Sequence, residues 1–165
     1  VACIGDVDCL LRLNFIGESA TQADLAANSV QYSHGATGVI EHNHVAGNQW
    51  LGASDYAATA LLIYLADGTV IQKNNMGGNS DVGVYLYSDD AVVDNNRIFD
   101  GGPDGNQTGY DIGLGDWGTG NSVTNNKIRG FDLPTDNADG QHVISGGGPN
   151  PVCFGTGPGC GEVAE

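Results

Sequence analysis

Three of the chain's five basic residues fall within or just after two copies of a repeated phrase and could act on an acidic sugar polymer. Arg97 and Lys127 each follow a repeated asparagine, and Arg129 lies two residues beyond Lys127. A uronate-polysaccharide lyase needs a base near the C5 proton of the sugar, and a basic side chain or Ca²⁺ on its carboxylate. Lys127 or Arg129 is then the candidate base, and Arg97 the candidate group that orients the substrate.

A simpler interpretation of these residues is a solvent-exposed polar face without chemistry. Asp94 lies three residues before Arg97, where the two side chains could form an ion pair. Surface ion pairs of this kind contribute little to stability and need no functional explanation. We favour this interpretation, and the three basic residues remain candidates only.

A second candidate site consists of aspartates in turns that follow strand-like segments. We expect them to stack along one edge of the fold: Asp67, Asp89, Asp90 and Asp116. Like charges about 5 Å apart repel unless a cation neutralises them, and clustered oxygen ligands suit Ca²⁺. The alternative is solvated aspartate that serves turn geometry. Ca²⁺ is the only cofactor that the sequence suggests.

The elements that must position these residues are copies of one phrase, aliphatic-x-x-Asn-x-aliphatic. The copies are Ile40–Val45, Ile71–Met76, Val93–Ile98 and Val123–Ile128. Their asparagines are separated by 31, 22 and 30 residues. A constant phrase with variable spacing indicates a structural coil that carries loops of different lengths.

An alternating segment precedes each of the last three copies. These segments are Leu61–Leu65, Val84–Tyr87 and Tyr110–Leu114. Their period of two predicts strands with one buried face. Two short strands and a turn per coil, stacked repeatedly, make a solenoid, and coils of about 22–30 residues would give about five or six of them.

The repeated asparagine has a physical role in such a stack. Asparagine tolerates the left-handed backbone conformation, which would bend the chain between the two aliphatic residues. Its side-chain amide can bond the matching amide in the next coil. We therefore expect an inward ladder of Asn43, Asn74, Asn96 and Asn126. The residues after them should point outward: His44, Asn75, Arg97 and Lys127.

This pattern resembles the right-handed parallel β-helix of the pectate-lyase-like superfamily, over about residues 28–145. The resemblance implies an all-β fold, a right-handed parallel β-helix. It implies no single activity, because the superfamily includes lyases, hydrolases, epimerases, adhesins, phage spikes and surface-layer proteins. No segment of this chain resembles the lyase or galacturonase motifs of that superfamily.

Neither end of the chain shows the coil pattern clearly. We expect an N-terminal cap over residues 1–27, coils over 28–145, and a Gly/Pro-rich C-terminal tail or cap over 146–165. The ends of a β-helix present unpaired backbone groups, so each must be covered or must join a neighbouring copy.

The cysteines fall in one close pair at each end, Cys3 with Cys9 and Cys153 with Cys160. Their even number and loop-rich surroundings favour two local disulfides, which would tie both ends of the solenoid and indicate a secreted or cell-surface protein. Four buried thiols in a cytosolic protein are the alternative.

The charge balance narrows the choice of partners. The formal net charge is −15, from 20 acidic and 5 basic residues. Such a surface repels nucleic acids and anionic membranes, and no apolar run is long enough for membrane insertion. The partners that remain are a second copy of the chain or an extracellular polysaccharide.

Three functions are consistent with these features. The first, which we favour, is an extracellular structural or adhesive β-helix without catalysis that could self-assemble into a filament, sheath or surface layer. The second is a small Ca²⁺-dependent polysaccharide lyase. The third is a carbohydrate-binding module of a larger secreted protein.

Overall fold

The computed structural model describes residues 1–17, 27–50, 57–78, 80–100, 111–130, 141–143 and 152–156. The regular structure of these residues consists of β-strands, most of which fall into five successive coils of three strands each. The first two coils contain β1 (Ala2–Ile4), β2 (Asp8–Arg12), β3 (Phe15–Ile16), β4 (Asn28–Ser33), β5 (Thr37–Glu41) and β6 (His44–Val45).

The remaining strands continue the same order. The next three coils contain β7 (Thr59–Tyr64), β8 (Val70–Gln72), β9 (Asn75–Gly78), β10 (Val82–Tyr87), β11 (Val92–Asp94), β12 (Arg97–Asp100), β13 (Asp111–Asp116), β14 (Ser122–Thr124) and β15 (Lys127–Arg129). Two further strands follow, β16 (Gln141–Val143) and β17 (Val152–Thr156).

Matching strands of successive coils pair in parallel and form three sheets. The first sheet has the order β1-β4-β7-β10-β13-β17, the second β16-β14-β11-β8-β5-β2, and the third β15-β12-β9-β6-β3. β16 and β17 pair antiparallel with β14 and β13. The all-β parallel β-helix is therefore confirmed, and two of its three sheets end in an antiparallel strand.

Two details differ from the sequence-based expectation. Each coil has three strands instead of two, because the bend at the repeated asparagine separates one strand from the next. The region interpreted as an N-terminal cap is a regular coil as far as Gly17: β1, β2 and β3 pair in parallel with the second coil. Residues 18–26 of that region lie outside the described residues.

The core consists of columns of aliphatic side chains that point inward from each sheet. The second sheet contributes the column Leu11, Ile40, Ile71, Val93 and Val123. The third contributes Ile16, Val45, Met76, Ile98 and Ile128. Burial of one such side chain stabilises the fold by about 1.5–3 kcal/mol, so the aliphatic positions of the phrase fix the register of the stack.

A ladder of asparagine side chains runs beside these columns. The Oδ1 atom of Asn74 accepts hydrogen bonds from the main-chain N and the Nδ2 of Asn43, at 2.9 and 3.0 Å. Asn96 accepts the same pair from Asn74, and Asn126 accepts it from Asn96. Each Nδ2 also donates to a main-chain oxygen one coil away, as from Asn74 to Ile40 at 2.9 Å. The buried amides thus satisfy one another.

The left-handed bend lies one residue earlier than the sequence suggested. The positive φ angles belong to the residues that precede the ladder, such as His42 at 55° and Lys73 at 55°, and the ladder asparagines themselves are not left-handed. Left-handed backbone is costly for such residues. The ladder holds this left-handed conformation in place, because the main-chain N–H of the ladder asparagine that follows must reach an asparagine Oδ1 in the adjacent coil.

The first coil is closed by a disulfide. Cys3 is bonded to Cys9, as predicted, with their Cα atoms 6.5 Å apart. The Cys3 side chain is buried in the hydrophobic core. The predicted bond between Cys153 and Cys160 lies outside the described side chains.

Candidate functional site

The outer face of the third sheet carries a cleft of about 420 Å³ at its C-terminal end. Strand pairing places Arg97 beside Lys127 and Phe99 beside Arg129. Asn75 is the neighbour of Arg97 in the preceding coil. The three candidate basic residues therefore line one cleft, although Arg97 and Lys127 are 30 residues apart in sequence.

The cations of this cleft have no anionic partner among the described residues. Arg97, Lys127 and Arg129 are exposed and form no ion pair there. Arg12, by contrast, lies outside the cleft and contacts Glu41 with its Nε 3.1 Å from a carboxylate oxygen. Three cations thus lie together without an ion pair to the described part of a chain whose net charge is −15.

The ion pair that was expected between Asp94 and Arg97 is not formed. Asp94 accepts hydrogen bonds from Thr124 Oγ1 at 2.7 Å and from Asn125 Nδ2 at 2.8 Å. These two bonds hold the pKa of Asp94 below its ordinary value, with a smaller effect from Lys73. Asp94 lies on the second sheet, before the asparagine bend, and Arg97 lies on the third.

A second cleft, which is shallow and widely open to solvent, has a volume of about 520 Å³ and adjoins the first at Asn75, which lines both. It follows the bend between the second and third sheets across the first three coils. The Phe15 and His44 rings stack in it, 4.9 Å apart and 5° from parallel. Lys73 is the basic residue that lines it.

The acidic turns form hydrogen bonds with each other's backbone. The main-chain N of Asp89 donates to Asp67 Oδ1 at 2.9 Å, and the main-chain N of Thr119 donates to Asp89 Oδ1 at 2.7 Å. Bonds from Thr119 lower the pKa of Asp89. Asp90 adopts a left-handed φ of 54° in the same turn. These exposed carboxylates therefore connect successive turns.

Asp116 does not belong to this exposed edge, so that part of the prediction is wrong. It pairs in register with Leu86 inside the first sheet and is completely buried. Its Oδ1 accepts from the Gly118 main-chain N at 2.9 Å and from Asn121 Nδ2 at 2.7 Å, and its Oδ2 has no hydrogen-bond partner. Burial raises the pKa of Asp116 above its ordinary value.

The described residues give no direct support for a metal centre. Within them, no three histidine, cysteine, aspartate or glutamate side chains come together as ligands. Ca²⁺ binding stays a prediction, and a melting curve recorded with Ca²⁺ and with a chelator tests it.

Aromatic residues occupy the outer face of the first sheet near the acidic turns. Tyr64 and Tyr87 stack at 5.3 Å. Trp117 turns back over Gly115 and stacks on Tyr85 at 4.4 Å. A cleft of about 270 Å³ lies beside them, lined by Leu65, Asp67, Tyr87, Ser88, Asp89, Trp117 and Gly118.

Sequence reasoning missed one ladder residue and one aromatic pair. Asn14 donates its main-chain N and its Nδ2 to Asn43 Oδ1, both at 3.0 Å, and so begins the ladder. The signal was present, because Leu11 and Ile16 flank Asn14 as the phrase requires. Phe15 then follows as the outward residue of that coil, beside His44.

Comparison with known proteins gives a match at the level of the fold. Residues 13–147 match the family model described as a right handed beta helix region. No curated protein and no solved structure matches the chain. The described part of the chain contains no helix long and apolar enough to cross a membrane.

Proposed function

The chain belongs to the right-handed β-helix family, and from that premise we propose that it is an extracellular protein that binds an acidic polysaccharide on its third sheet without cleaving it. The observation that carries this proposal is the cleft in which Arg97, Lys127 and Arg129 lie together with no ion-pair partner among the described residues. Their mutual repulsion is relieved when a polyanion binds, because each cation then gains a charge-assisted hydrogen bond.

A uronate polymer suits this cleft better than a compact anion. The cations belong to two adjacent coils, about 4.8 Å apart, and Phe99 and Asn75 border them. Arginine binds carboxylates through two parallel N–H donors, while a phenyl ring and an amide can contact the ring and hydroxyl groups of a sugar. The Cys3–Cys9 disulfide supports the extracellular part of the proposal.

The proposal that the chain does not cleave its ligand is based on the side chains that line the cleft beside the three cations. The described residues that line it include no carboxylate, so none of them adds an oxyanion ligand for Ca²⁺ beside the cations. Lys127 remains the candidate base if the chain is a lyase. The proposal assigns Lys127 to binding instead.

Titration calorimetry with polygalacturonate tests the binding. We expect binding at low ionic strength that weakens with added salt. The double variant Arg97→Gln/Lys127→Gln should bind about tenfold more weakly or worse. Arg12→Gln is the matched control, because it removes a positive charge outside the cleft, and it should leave the affinity nearly unchanged.

Three results would contradict this function. One is equal affinity for polygalacturonate and its fully methyl-esterified form, and another is equal affinity for double-stranded DNA, a polyanion without sugar carboxylates. The third concerns catalysis. An ultraviolet-absorbing unsaturated product that disappears in Lys127→Ala would identify the chain as a lyase.

Self-assembly is a second candidate function, favoured by the first coil. Among the described strands, β1, β2 and β3 are each the edge strand of their sheet, and this coil exposes large apolar side chains, including Ile4 at 57% and Leu10 at 67%. Unpaired strand edges with apolar side chains favour association. Sedimentation over a concentration series should detect oligomers that Leu10→Lys removes and Leu65→Lys, on another coil, does not. A monomer at all concentrations would exclude this function.

A further inference from the structure

The second cleft lies where an extended ligand of the first cleft would continue. Asn75 is shared by both clefts and is smaller than Arg97 and His44, which flank it in the same outward column. A chain that leaves the cations can therefore cross the column over Asn75. On the other side it enters the bend, whose floor is formed by the ladder asparagines Asn14 and Asn43.

The two clefts span the described coils along the axis of the solenoid. One outward column runs through both, in the order Phe15, His44, Asn75, Arg97 and Lys127. Four coil steps of about 4.8 Å separate its ends, or about 19 Å. That length suits a short oligosaccharide rather than a single sugar.

The distribution of charge follows the same path. Lys73 lines the second cleft, and with the three cations of the first it accounts for four of the five basic residues of the chain. The fifth, Arg12, is paired with Glu41. Basic residues are thus concentrated where a carboxylate polymer would lie, and their spacing places Lys73 one coil before Arg97.

The far end of the path offers an apolar contact. Phe15 is 76% exposed although it is large and apolar, and its ring stacks on His44. His44 Nδ1 lies 3.2 Å from Asn75 Nδ2, which fixes the imidazole in the column. An exposed ring held in a defined orientation provides a surface for the C–H face of a sugar.

We infer that the two clefts form one extended site for an acidic oligosaccharide, in which Lys73 binds a further carboxylate and Phe15 packs against a terminal sugar ring. This inference rests on the proposed function and adds to it the length and direction of the ligand. Arg97, Lys127 and Arg129 hold one end of the oligosaccharide, and the Phe15–His44 stack holds the other.

Oligogalacturonates from the dimer to the hexamer, titrated into the full chain, test this inference. We expect the affinity to rise beyond the dimer and to level off once the oligomer spans both clefts. Lys73→Gln should weaken binding of the long oligomers about twofold to fivefold, and Phe15→Ala about threefold to tenfold. Neither change should affect the dimer bound at the cations.

Matched variants separate the local effects from general ones. Arg12→Gln removes the same charge as Lys73→Gln but lies outside both clefts. Tyr87→Ala removes an exposed ring from another sheet. Both controls should bind long oligomers as the unmodified chain does, and an equal loss in the controls would overturn the inference.

The outcomes distinguish this inference from the proposed function. If affinity is already maximal at the dimer and Lys73→Gln and Phe15→Ala change nothing, the extended site is wrong and the cationic cleft stands. If no oligomer of any length binds, both are wrong. If length dependence persists in the double variant Lys73→Gln/Phe15→Ala, the ligand runs in another direction and the inference fails.

Discussion

The outer faces of the third and first sheets differ in how their charges are held. On the third sheet, the cleft cations form no ion pair with any described residue. Beside the first sheet, the carboxylates of Asp67 and Asp89 each accept a main-chain hydrogen bond from the adjacent coil. The acidic face is explained by the fold, because its side chains connect the turns. No described contact gives the cations of the basic face such a structural role, and this is the face to which we assign ligand binding in our proposal.

The same solenoid supports both faces because its inward side is nearly uniform. Aliphatic columns from the three sheets and the asparagine ladder determine which residues are buried. Alternate residues of each strand point outward and do not contribute to this core. Their identity is therefore free to differ between faces, and the difference reflects function or turn geometry instead of stability.

Breaking the ladder should remove both faces together and is the largest effect that we expect. Asn74→Ala deprives Asn43 N–H and Nδ2–H of their acceptor and Ile40 C=O of a donor, all in the buried interior. Unsatisfied buried groups cost about 1–3 kcal/mol each, so we expect a loss of about 3–5 kcal/mol in the free energy of unfolding by urea.

Asn75→Ala is the matched control for the ladder. Asn75 is adjacent in sequence but faces outward and is half-buried, so its replacement should change stability by less than about 0.5 kcal/mol. Equal losses in the two variants would mean that the ladder has no special role.

A change at Gly115 should affect the first sheet alone. A Cβ atom at this position would collide with the ring of Trp117, so Gly115→Ala must displace Trp117 from Tyr85. Overpacking of this kind costs about 1–3 kcal/mol, and the near-ultraviolet circular dichroism should change. Gly17→Ala is the control, because no described residue lies near the position of its Cβ. A loss of polygalacturonate binding in Gly115→Ala would show that the two faces are coupled.

The pH dependence of stability should have opposite signs at two carboxylates. Burial raises the folded pKa of Asp116 above the ordinary value of 3.8, so its ionisation opposes folding. As the pH rises from about 3.8 through the raised pKa, the unmodified chain should lose stability relative to Asp116→Asn. Asp94 has a lowered folded pKa, so its contribution is present above pH 3.8 and is lost on acidification.

Urea unfolding between about pH 3 and 7 measures both effects. The difference in unfolding free energy between the unmodified chain and Asp94→Asn should shrink as the pH falls, the reverse of the Asp116→Asn comparison. A difference for Asp116→Asn that does not depend on pH would show that this carboxyl keeps one protonation state over the range.

The smallest effect that we expect is the change in polygalacturonate affinity when charges are removed from the acidic face. Asp67→Asn/Asp89→Asn removes two negative charges that lie beside the first sheet and line a different cleft from the three cations. At physiological ionic strength charges are screened beyond about 8 Å, so polygalacturonate affinity should change by less than about twofold. An increase of tenfold or more would indicate that net charge, and not the cleft, governs binding.

Several of these features could be predicted from local sequence patterns. The aliphatic positions identify the inward columns, and Leu11, Asn14 and Ile16 follow the same phrase although the first coil was taken for a cap. Asp116 continues the alternation of Ile112 and Leu114, so its period also pointed inward. For Asp116, the frequent occurrence of aspartate in turns outweighed the period.

Other features could not be predicted because they depend on the path of the backbone. The left-handed residue before each ladder asparagine carries no common side chain, since Leu13, His42, Lys73, Asn95 and Asn125 all occupy it. The division of the phrase into two strands follows from this bend. The stacking of Phe15 on His44 also depends on which coils are neighbours.

The sequence alone determined the parallel stack of coils, because burying the aliphatic residues at the ends of each phrase leaves one register available. The tertiary structure decided which outward residues meet. Arg97 and Lys127 become neighbours because the chain passes through β13 and β14 of the next coil and returns to the third sheet as β15, beside β12. The cluster of three cations in the cleft is therefore a property of the stacked solenoid that no single coil contains.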